Sequence, residues 1–121
     1  MTDQDLSREI TDVEMAKLAQ AIEHFRTLDK EIPAQVIATF LYVASHDDCF
    51  KGDLEKALAF STASGSRNTD WLSAFHRLNK PGLGLIIKYR DPNNRRRQVL
   101  QLSTKGRKLV QELKNILYSD N

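Results

Sequence analysis

The hydrophobic period of the sequence changes once, near residue 85, and this change restricts the possible folds more than any other feature. Before it, apolar residues recur at three- and four-residue spacing, which is typical of amphipathic helices. Residues 85–90 and 97–103 instead have the composition and alternation of strands, and the turn-forming segment Asp91-Pro92-Asn93-Asn94 separates them. The pattern predicts a helical body followed by one β-hairpin.

Five helices account for the remaining periodicity. Thr11 and Glu14 have the spacing of a capping box before the first helix, and Pro33 suits the first turn of the second, where a missing N–H costs nothing. Ser61 is a suitable N-cap for the fourth helix. The predicted order is a short helix, a small turn, a longer helix and then a hairpin. This order is typical of a winged helix-turn-helix, which is a mainly α fold with a small β-hairpin wing (α+β). The predicted helices span residues 12–28, 33–46, 51–59, 62–78 and 104–118.

Length and composition favour a cytoplasmic protein that has no membrane association. A chain of 121 residues fits one hydrophobic core, so we expect residues 1–121 to form a single domain. The longest apolar run, 36–44, is shorter than the ~20 residues that span a bilayer. The first ten residues are acidic, unlike a secretory signal, and the lone Cys49 suits a reducing compartment.

The formal net charge of +2 conceals an asymmetry between the two halves of the chain. Residues 1–60 contain 6 Lys or Arg and 12 Asp or Glu, which gives −6, whereas residues 61–121 contain 12 and 4, which gives +8. Clustered Lys and Arg supply the sequence-independent part of nucleic-acid binding through counterion release. On charge alone, a basic face that only aids solubility is an equally good interpretation.

Small hydrogen-bonding residues and one arginine fill the first two turns of the fourth predicted helix. A helical wheel places Gly65, Thr69 and Leu72 on its inner face and Arg67 on its outer face. Short polar side chains allow a helix to approach bases and phosphates closely, and Arg can pair with O6 and N7 of guanine. The candidate DNA-contacting residues of this helix are Thr62, Ser64, Ser66, Arg67 and Asn68.

Positive charge is also concentrated around the predicted hairpin turn. An isolated run of charges is usually a solvated loop. Beside a recognition helix, however, an arginine on a hairpin tip can enter the narrow, electronegative minor groove. The candidate wing residues are Arg90, Arg95, Arg96 and Arg97, and the candidate phosphate contacts elsewhere are Lys51 and Lys105.

The segment His46-Asp47-Asp48-Cys49 contains four residue types that can bind metal. Adjacent residues rarely converge on one ion and no second cluster follows, so we expect no metal site. At the C-terminus of a helix, His46 is expected to interact with the helix dipole. Cys49 is expected to be a small, partly buried side chain and not a reactive thiol. No nucleophile motif, phosphate-binding glycine loop or catalytic carboxylate pair can be assembled, so we expect neither a cofactor nor an enzyme.

Two segments resemble the MarR family of winged-helix regulators. Phe60-Ser61-Thr62-Ala63-Ser64-Gly65-Ser66-Arg67-Asn68-Thr69-Asp70-Trp71-Leu72 is similar to the recognition helix of that family, in which a Ser-Arg pair is followed by Asp-x-Leu. Asp91-Pro92-Asn93-Asn94-Arg95-Arg96 and Leu102-Ser103-Thr104-Lys105-Gly106 resemble its wing and the start of its next helix, although Asn94 stands where the family usually has Asp. The resemblance covers about residues 33–110. It implies a dimer with two recognition helices in successive major grooves and wing arginines in the minor groove.

We therefore expect a sequence-specific double-stranded DNA-binding transcription regulator, acting as a dimeric repressor. The helices at 12–28 and 104–118 are the expected dimerisation elements. The alternative is a winged-helix module that uses its acidic first half to bind a protein such as polymerase or a replication factor. The resemblance allows a small-molecule effector, but the sequence assigns it no residues.

Overall fold

The helical body and the hairpin predicted from the hydrophobic period are both present in the computed structural model, which describes residues 9–74 and 81–119. Within these ranges the helices are α1 (Val13–Leu28), α2 (Ala34–Ser45), α3 (Lys51–Leu58), α4 (Thr62–Leu72) and α5 (Thr104–Leu117). The strands are β1 (Cys49–Phe50), β2 (Ile86–Asp91) and β3 (Asn94–Leu102), which form one antiparallel sheet in the order β1-β3-β2. The predicted mainly α fold with a small hairpin is confirmed.

One hydrophobic core joins all of these helices to the hairpin. Phe25 of α1 meets Phe40 of α2 edge to face, with ring centroids 5.7 Å apart. Each fully buried side chain of this size contributes roughly 1.5–3 kcal/mol to folding. The buried residues of the core are Ala21, Phe25, Val36, Phe40, Val43, Leu54, Leu72, Leu85, Ile86, Leu100, Leu109 and Leu113.

The starts of α1 and α2 differ from the prediction by one residue. Asp12, and not Thr11, caps α1, because its carboxylate accepts a hydrogen bond from Met15 N at 3.1 Å. The predicted capping box is therefore wrong. Pro33 is the N-cap of α2 and does not lie in its first turn. Both differences leave the helical assignment itself unchanged.

Helix α4 ends at Leu72, earlier than the predicted end near residue 78. The physical reason is that the chain returns to this point. Leu83 N donates to Trp71 O at 3.0 Å, and Leu85 N donates to Leu72 O at 2.7 Å. These bonds satisfy carbonyl groups that the end of a helix leaves unpaired. The predicted continuation through residues 75–78 lies outside the described residues.

Strand β1 was not predicted. Cys49 pairs with Leu100 and Phe50 pairs with Val99, both on β3. Two residues are too few to show a period of two, so this strand has no periodic signal in the sequence. Because α3 begins at the next residue, the pairing fixes the start of α3 against the hairpin.

The hairpin turn is shorter than predicted. Strand β3 begins at Asn94, which pairs with Asp91, so that only Pro92 and Asn93 lie in the loop. Asp91 Oδ1 accepts a hydrogen bond from Asn93 N at 2.9 Å, which stabilises the turn as an Asx turn does. Arg95 therefore lies on a strand and not in the turn.

Two glycines provide a matched test of packing against the hairpin. A Cβ atom on Gly106 of α5 would lie 2.0 Å from the backbone oxygen of Leu85, whereas one on Gly52 of α3 would meet nothing within 4 Å. We expect Gly106→Ala to lower the free energy of unfolding by about 1–3 kcal/mol through overpacking. Gly52→Ala should raise it by up to ~1 kcal/mol, because alanine is the better helix former. Urea denaturation of both variants tests this, and a stabilised Gly106→Ala variant would contradict the packing argument.

Candidate nucleic-acid interface

The N-terminal half of α4 is capped and open to solvent. Ser61 Oγ accepts a hydrogen bond from Ser64 N at 3.1 Å, as expected for the N-cap. Thr62 and Arg67 are exposed, and Ser66 is partly buried. The guanidinium of Arg67 donates to Ser64 Oγ at 3.1 Å, which holds it along the outer surface of the helix. These side chains can be reached by a large ligand.

Asn68 lies on the packed side of α4. It is only 6% exposed, and its Nδ2 donates to Oε1 of Gln35 on α2 at 3.3 Å. Asn68 was a candidate DNA-contacting residue, but α2 covers this side of the helix. The prediction of a DNA contact at Asn68 is therefore wrong, and its side chain instead ties α4 to α2. Gly65, Thr69 and Leu72 are buried, as the wheel predicted.

A groove of about 490 Å³ lies between α3, the N-terminal half of α4 and the hairpin. Thr62 and Ser66 of α4 line it together with Arg90, Arg96 and Arg97 of the hairpin. The structure therefore brings the two predicted groups of candidate residues to one surface.

Two of the four hairpin arginines are engaged in holding the hairpin together. Arg97 Nη2 donates to Asp91 Oδ2 at 2.9 Å, and its guanidinium lies 4.1 Å from the ring centroid of Phe50, a cation–π contact. Arg90 Nη1 donates to the backbone oxygen of Arg95 at 2.8 Å. These bonds make the hairpin tip rigid.

The guanidinium groups of Arg95 and Arg96 are exposed and make no hydrogen bond or ion pair with the residues that the structure describes. The two arginines are adjacent on β3, in the segment 95–97 that has no paired residue on β2, because the register passes from Arg90↔Gln98 to Asp91↔Asn94 at an irregularity. The backbone N–H of Arg96 donates to Asn94 Oδ1 at 3.2 Å. The neutral side-chain amide of Asn94 is sufficient to accept that bond. The ion pair with a wing arginine is made instead by Asp91, which pairs with Arg97.

The two lysines predicted to contact phosphate are placed differently. Lys51 is only 7% exposed, and its ammonium lies 2.5 Å from the carboxylate of Glu55 on the same helix. Lys105 is exposed, but its ammonium donates to the backbone oxygen of Leu83 at 2.8 Å and lines a separate pocket between α1 and α5. Lys51 lines the groove, but its ammonium is engaged by Glu55 and is not available to a phosphate. Lys105 lies away from the groove, and its phosphate contact stays a prediction.

Lys56 is a groove residue that the sequence analysis did not identify. It lies on α3, is exposed, and lines the groove with Arg90 and Arg96. Nothing in the sequence distinguishes it from any other lysine on the polar face of an amphipathic helix. Lys56 reaches the groove because the pairing of β1 with β3 sets α3 beside the hairpin.

The hairpin is also fastened to α4 through side chains. The ammonium of Lys88 on β2 donates to Thr69 Oγ1 at 3.0 Å and to Asp70 Oδ1 at 2.5 Å. The side chain of Lys88 is mostly buried. The distance between the exposed face of α4 and the hairpin is therefore set by direct bonds.

The segment considered for metal binding has a structural explanation. His46 stacks on Tyr42 with ring centroids 4.1 Å apart, at the C-terminal end of α2. In the described part of the chain, no three His, Cys, Asp or Glu side chains are grouped so that they could hold a metal ion. None of the helices described is long and apolar enough to cross a membrane.

No family model matches the sequence, and no curated protein sequence matches it. Several solved structures do match. A MarR variant from E. coli, complexed with operator DNA, is 19% identical with a TM-score of 0.63, over 89% of this chain and 70% of that one. MepR from S. aureus, in a DNA complex, is 26% identical with a TM-score of 0.63, over 84% of this chain and 73% of that one. A MarR transcriptional regulator from Methanosarcina mazei is 20% identical with a TM-score of 0.61, over 84% and 63%.

The chain has the MarR-type winged-helix fold. The resemblance seen in the sequence is thus confirmed at the level of the fold. In this fold α4 occupies the position of the recognition helix, and the hairpin of β2 and β3 is the wing. The groove described above is the space between the recognition helix and the wing.

Cys49 gives a pH-dependent prediction for this region. Burial raises the pKa of the Cys49 thiol to about 11, so the thiol is protonated at pH 7. Only the thiolate is a good nucleophile, so we expect slow alkylation by iodoacetamide at pH 7 and a rate constant that rises as the pH approaches about 11. In the urea-unfolded chain the same thiol should titrate near its ordinary value of about 8.5. Equal rates at pH 7 for the folded and unfolded chains would contradict the shift.

Proposed function

We propose that this protein is a sequence-specific double-stranded DNA-binding transcription regulator that acts as a dimeric repressor. The observation that carries the proposal is the single groove that the recognition helix and the wing share, lined by Thr62, Ser66, Arg90, Arg96 and Arg97. The MarR and MepR structures, which have the same fold, are DNA complexes. A retarded band with random duplex at low salt is the first expectation. No affinity under those conditions would favour the protein-binding alternative.

The cations of this surface that make no ion pair with a described residue are candidates for two kinds of DNA contact, with bases and with the backbone or minor groove. Arg67 projects from the recognition helix and is the candidate for pairing with a guanine in the major groove. Arg95, Arg96 and Lys56 are exposed around the groove and wing, and they are candidates for phosphate or minor-groove contacts. Arg97 also lines the groove, but its guanidinium is paired with Asp91.

Carboxylates near this surface are largely neutralised. Glu55 lines the groove but is paired with Lys51, and Asp91 is paired with Arg97. An unpaired carboxylate here would repel phosphate groups and oppose counterion release. Asp53, in the first turn of α3, also lines the groove and makes no ion pair with the described residues. Arg90, Arg96, Arg97 and Lys56 line the same groove, so its cations outnumber this carboxylate.

Substitution of the two kinds of arginine should have different consequences. Arg67→Ala should weaken binding to a selected operator by about 1–3 kcal/mol and leave random duplex little changed, because a base contact is lost. Arg96→Ala should weaken both duplexes similarly and reduce the salt slope by about 1, because a phosphate contact is lost. Fluorescence anisotropy at several salt concentrations measures both quantities.

The matched control is Lys30→Ala, which removes an exposed charge from the turn after α1, outside the groove and outside both proposed dimerisation helices, and it should leave both duplexes unaffected. Equal losses on operator and random DNA for Arg67→Ala would contradict its role in reading bases.

An exposed apolar stripe on α1 supports dimerisation. Met15, Leu18 and Ile22 are 56%, 50% and 38% exposed, and of the apolar stripe that includes them only Phe25 is buried. Leu117 and Tyr118 at the end of α5 are also exposed. Lys17 Nζ donates to Ser119 O at 2.5 Å, which joins this end of the chain to α1. Adjacent exposed apolar side chains on two helices are typical of an interaction surface.

Leu18→Glu should therefore convert a dimer to a monomer, because it places a charge in the apolar stripe. Sedimentation velocity at micromolar concentration measures the change. Gln20→Glu is the charge-matched control, since Gln20 is exposed on α1 outside the stripe, and this variant should remain dimeric. In the dimer, the half-sites should lie about 34 Å apart. A wild-type protein that is only monomeric would count against the interface.

A further inference from the structure

The last turn of α4 is bonded to the end of α1. Trp71 Nε1 donates to Asp29 Oδ2 at 2.8 Å. Asp29 is the C-cap of α1, and its other carboxylate oxygen accepts a hydrogen bond from Glu31 N at 3.0 Å. The carboxylate is thus oriented by its own backbone before it meets the indole. A hydrogen bond to an ionised oxygen is stronger and more directional than one between neutral groups.

The neighbouring residue bonds the same turn to the wing. Asp70 accepts from Lys88 on β2, and the same ammonium also donates to Thr69. Because Asp70 and Trp71 are consecutive, α1 on one side and the wing on the other are attached to a single helical turn. A change in the orientation of this turn would alter both attachments.

The reading half of α4 has fewer such attachments. Thr62 and Arg67 are exposed, and Arg67 bonds only within its own helix among the residues described. Farther along, Asn68 is bonded to Gln35 on α2. The buried face of this half packs on α3, where Gly65 lies against the side chain of Glu55. The Asp29–Trp71 bond is a polar contact that joins the other end of α4 to α1.

We propose that Asp29, acting through Trp71, is a positioning residue that fixes the orientation of the recognition helix relative to α1. The proposal rests on the proposed function, a DNA-binding dimer whose interface includes α1. In such a dimer the angle between α1 and α4 determines the separation of the two recognition helices. Asp29 would then determine how strictly the protein selects the spacing of two half-sites on DNA.

The test uses operator duplexes in which the spacing between half-sites is varied by one base pair. Wild-type protein should prefer one spacing. Asp29→Ala and Trp71→Phe should each reduce that preference by about fivefold, because each removes one partner of the bond. Asp29→Asn keeps one acceptor oxygen where Asp29 uses two, for Trp71 and for Glu31 N, so it should give a preference between those of wild type and Asp29→Ala. The double variant Asp29→Ala/Trp71→Phe should be no worse than Trp71→Phe alone, since both changes remove the same contact.

The matched control is Glu23→Ala, which removes an exposed carboxylate from α1 that pairs with Arg26 and not with α4. It should leave the spacing preference unchanged. Thermal unfolding of each variant separates positioning from stability, because a merely structural residue would lower the melting temperature and leave the preference intact. Equal weakening at every spacing for Asp29→Ala, or additive effects of the two single changes, would overturn the proposal.

A second measurement needs no DNA. The chain contains one tryptophan, so its emission reports Trp71 directly. Acrylamide quenching of Trp71 should increase in Asp29→Ala, increase less in Asp29→Asn, and stay at the wild-type level in Glu23→Ala. If wild-type protein binds no duplex, the proposed function fails, and quenching alone decides the role of Asp29. Unchanged quenching in Asp29→Ala would refute it.

Discussion

The hydrogen bonds between the end of α4 and the chain that enters β2 determine the rest of the surface. Leu72 and Leu85 are both fully buried, so the carbonyl of Leu72 has no access to water. An unpaired buried carbonyl costs about 1–3 kcal/mol, and the bond from Leu85 N removes that cost. The strand that follows must therefore begin beside the recognition helix. This starting point places the wing beside α4, and the groove lies between them.

The charges of the groove divide between folding and binding according to burial. Asp91 is mostly buried, and a buried carboxylate without a partner would be costly, so Arg97 is required by the fold. The same holds for Glu55 and Lys51. Arg95 and Arg96 have no buried acid to neutralise among the described residues, and they are left for an external anion. The three consecutive arginines therefore have two different roles in the structure. Arg97 pairs with a mostly buried acid, whereas Arg95 and Arg96 remain exposed.

The parts predicted correctly from the sequence are those with a local cause. The hairpin follows from alternating side chains on both sides of Asp91, and the N-cap at Ser61 follows from the chemistry of a single residue. Asn68 was misjudged because its partner Gln35 lies 33 residues away on another helix, whereas the pairing of Lys51 with Glu55 has the local i,i+4 spacing of a helix. The two residues of β1 carry no periodic signal. Helical periodicity predicts which face is buried, but not which helix covers a flank.

Helix α1 connects the two kinds of contact that such a protein needs. Phe25 belongs to the core of the chain through its contact with Phe40, whereas Leu18 is half exposed on another face of the same helix. The helix ends at Asp29, whose carboxylate is bonded to the recognition helix. Leu18 and Asp29 belong to one continuous stretch of α1 and its C-cap, so a partner docked on the Leu18 face would act on the helix that Trp71 contacts. In the proposed DNA-binding dimer, α1 would therefore link the subunit contact to the orientation of α4.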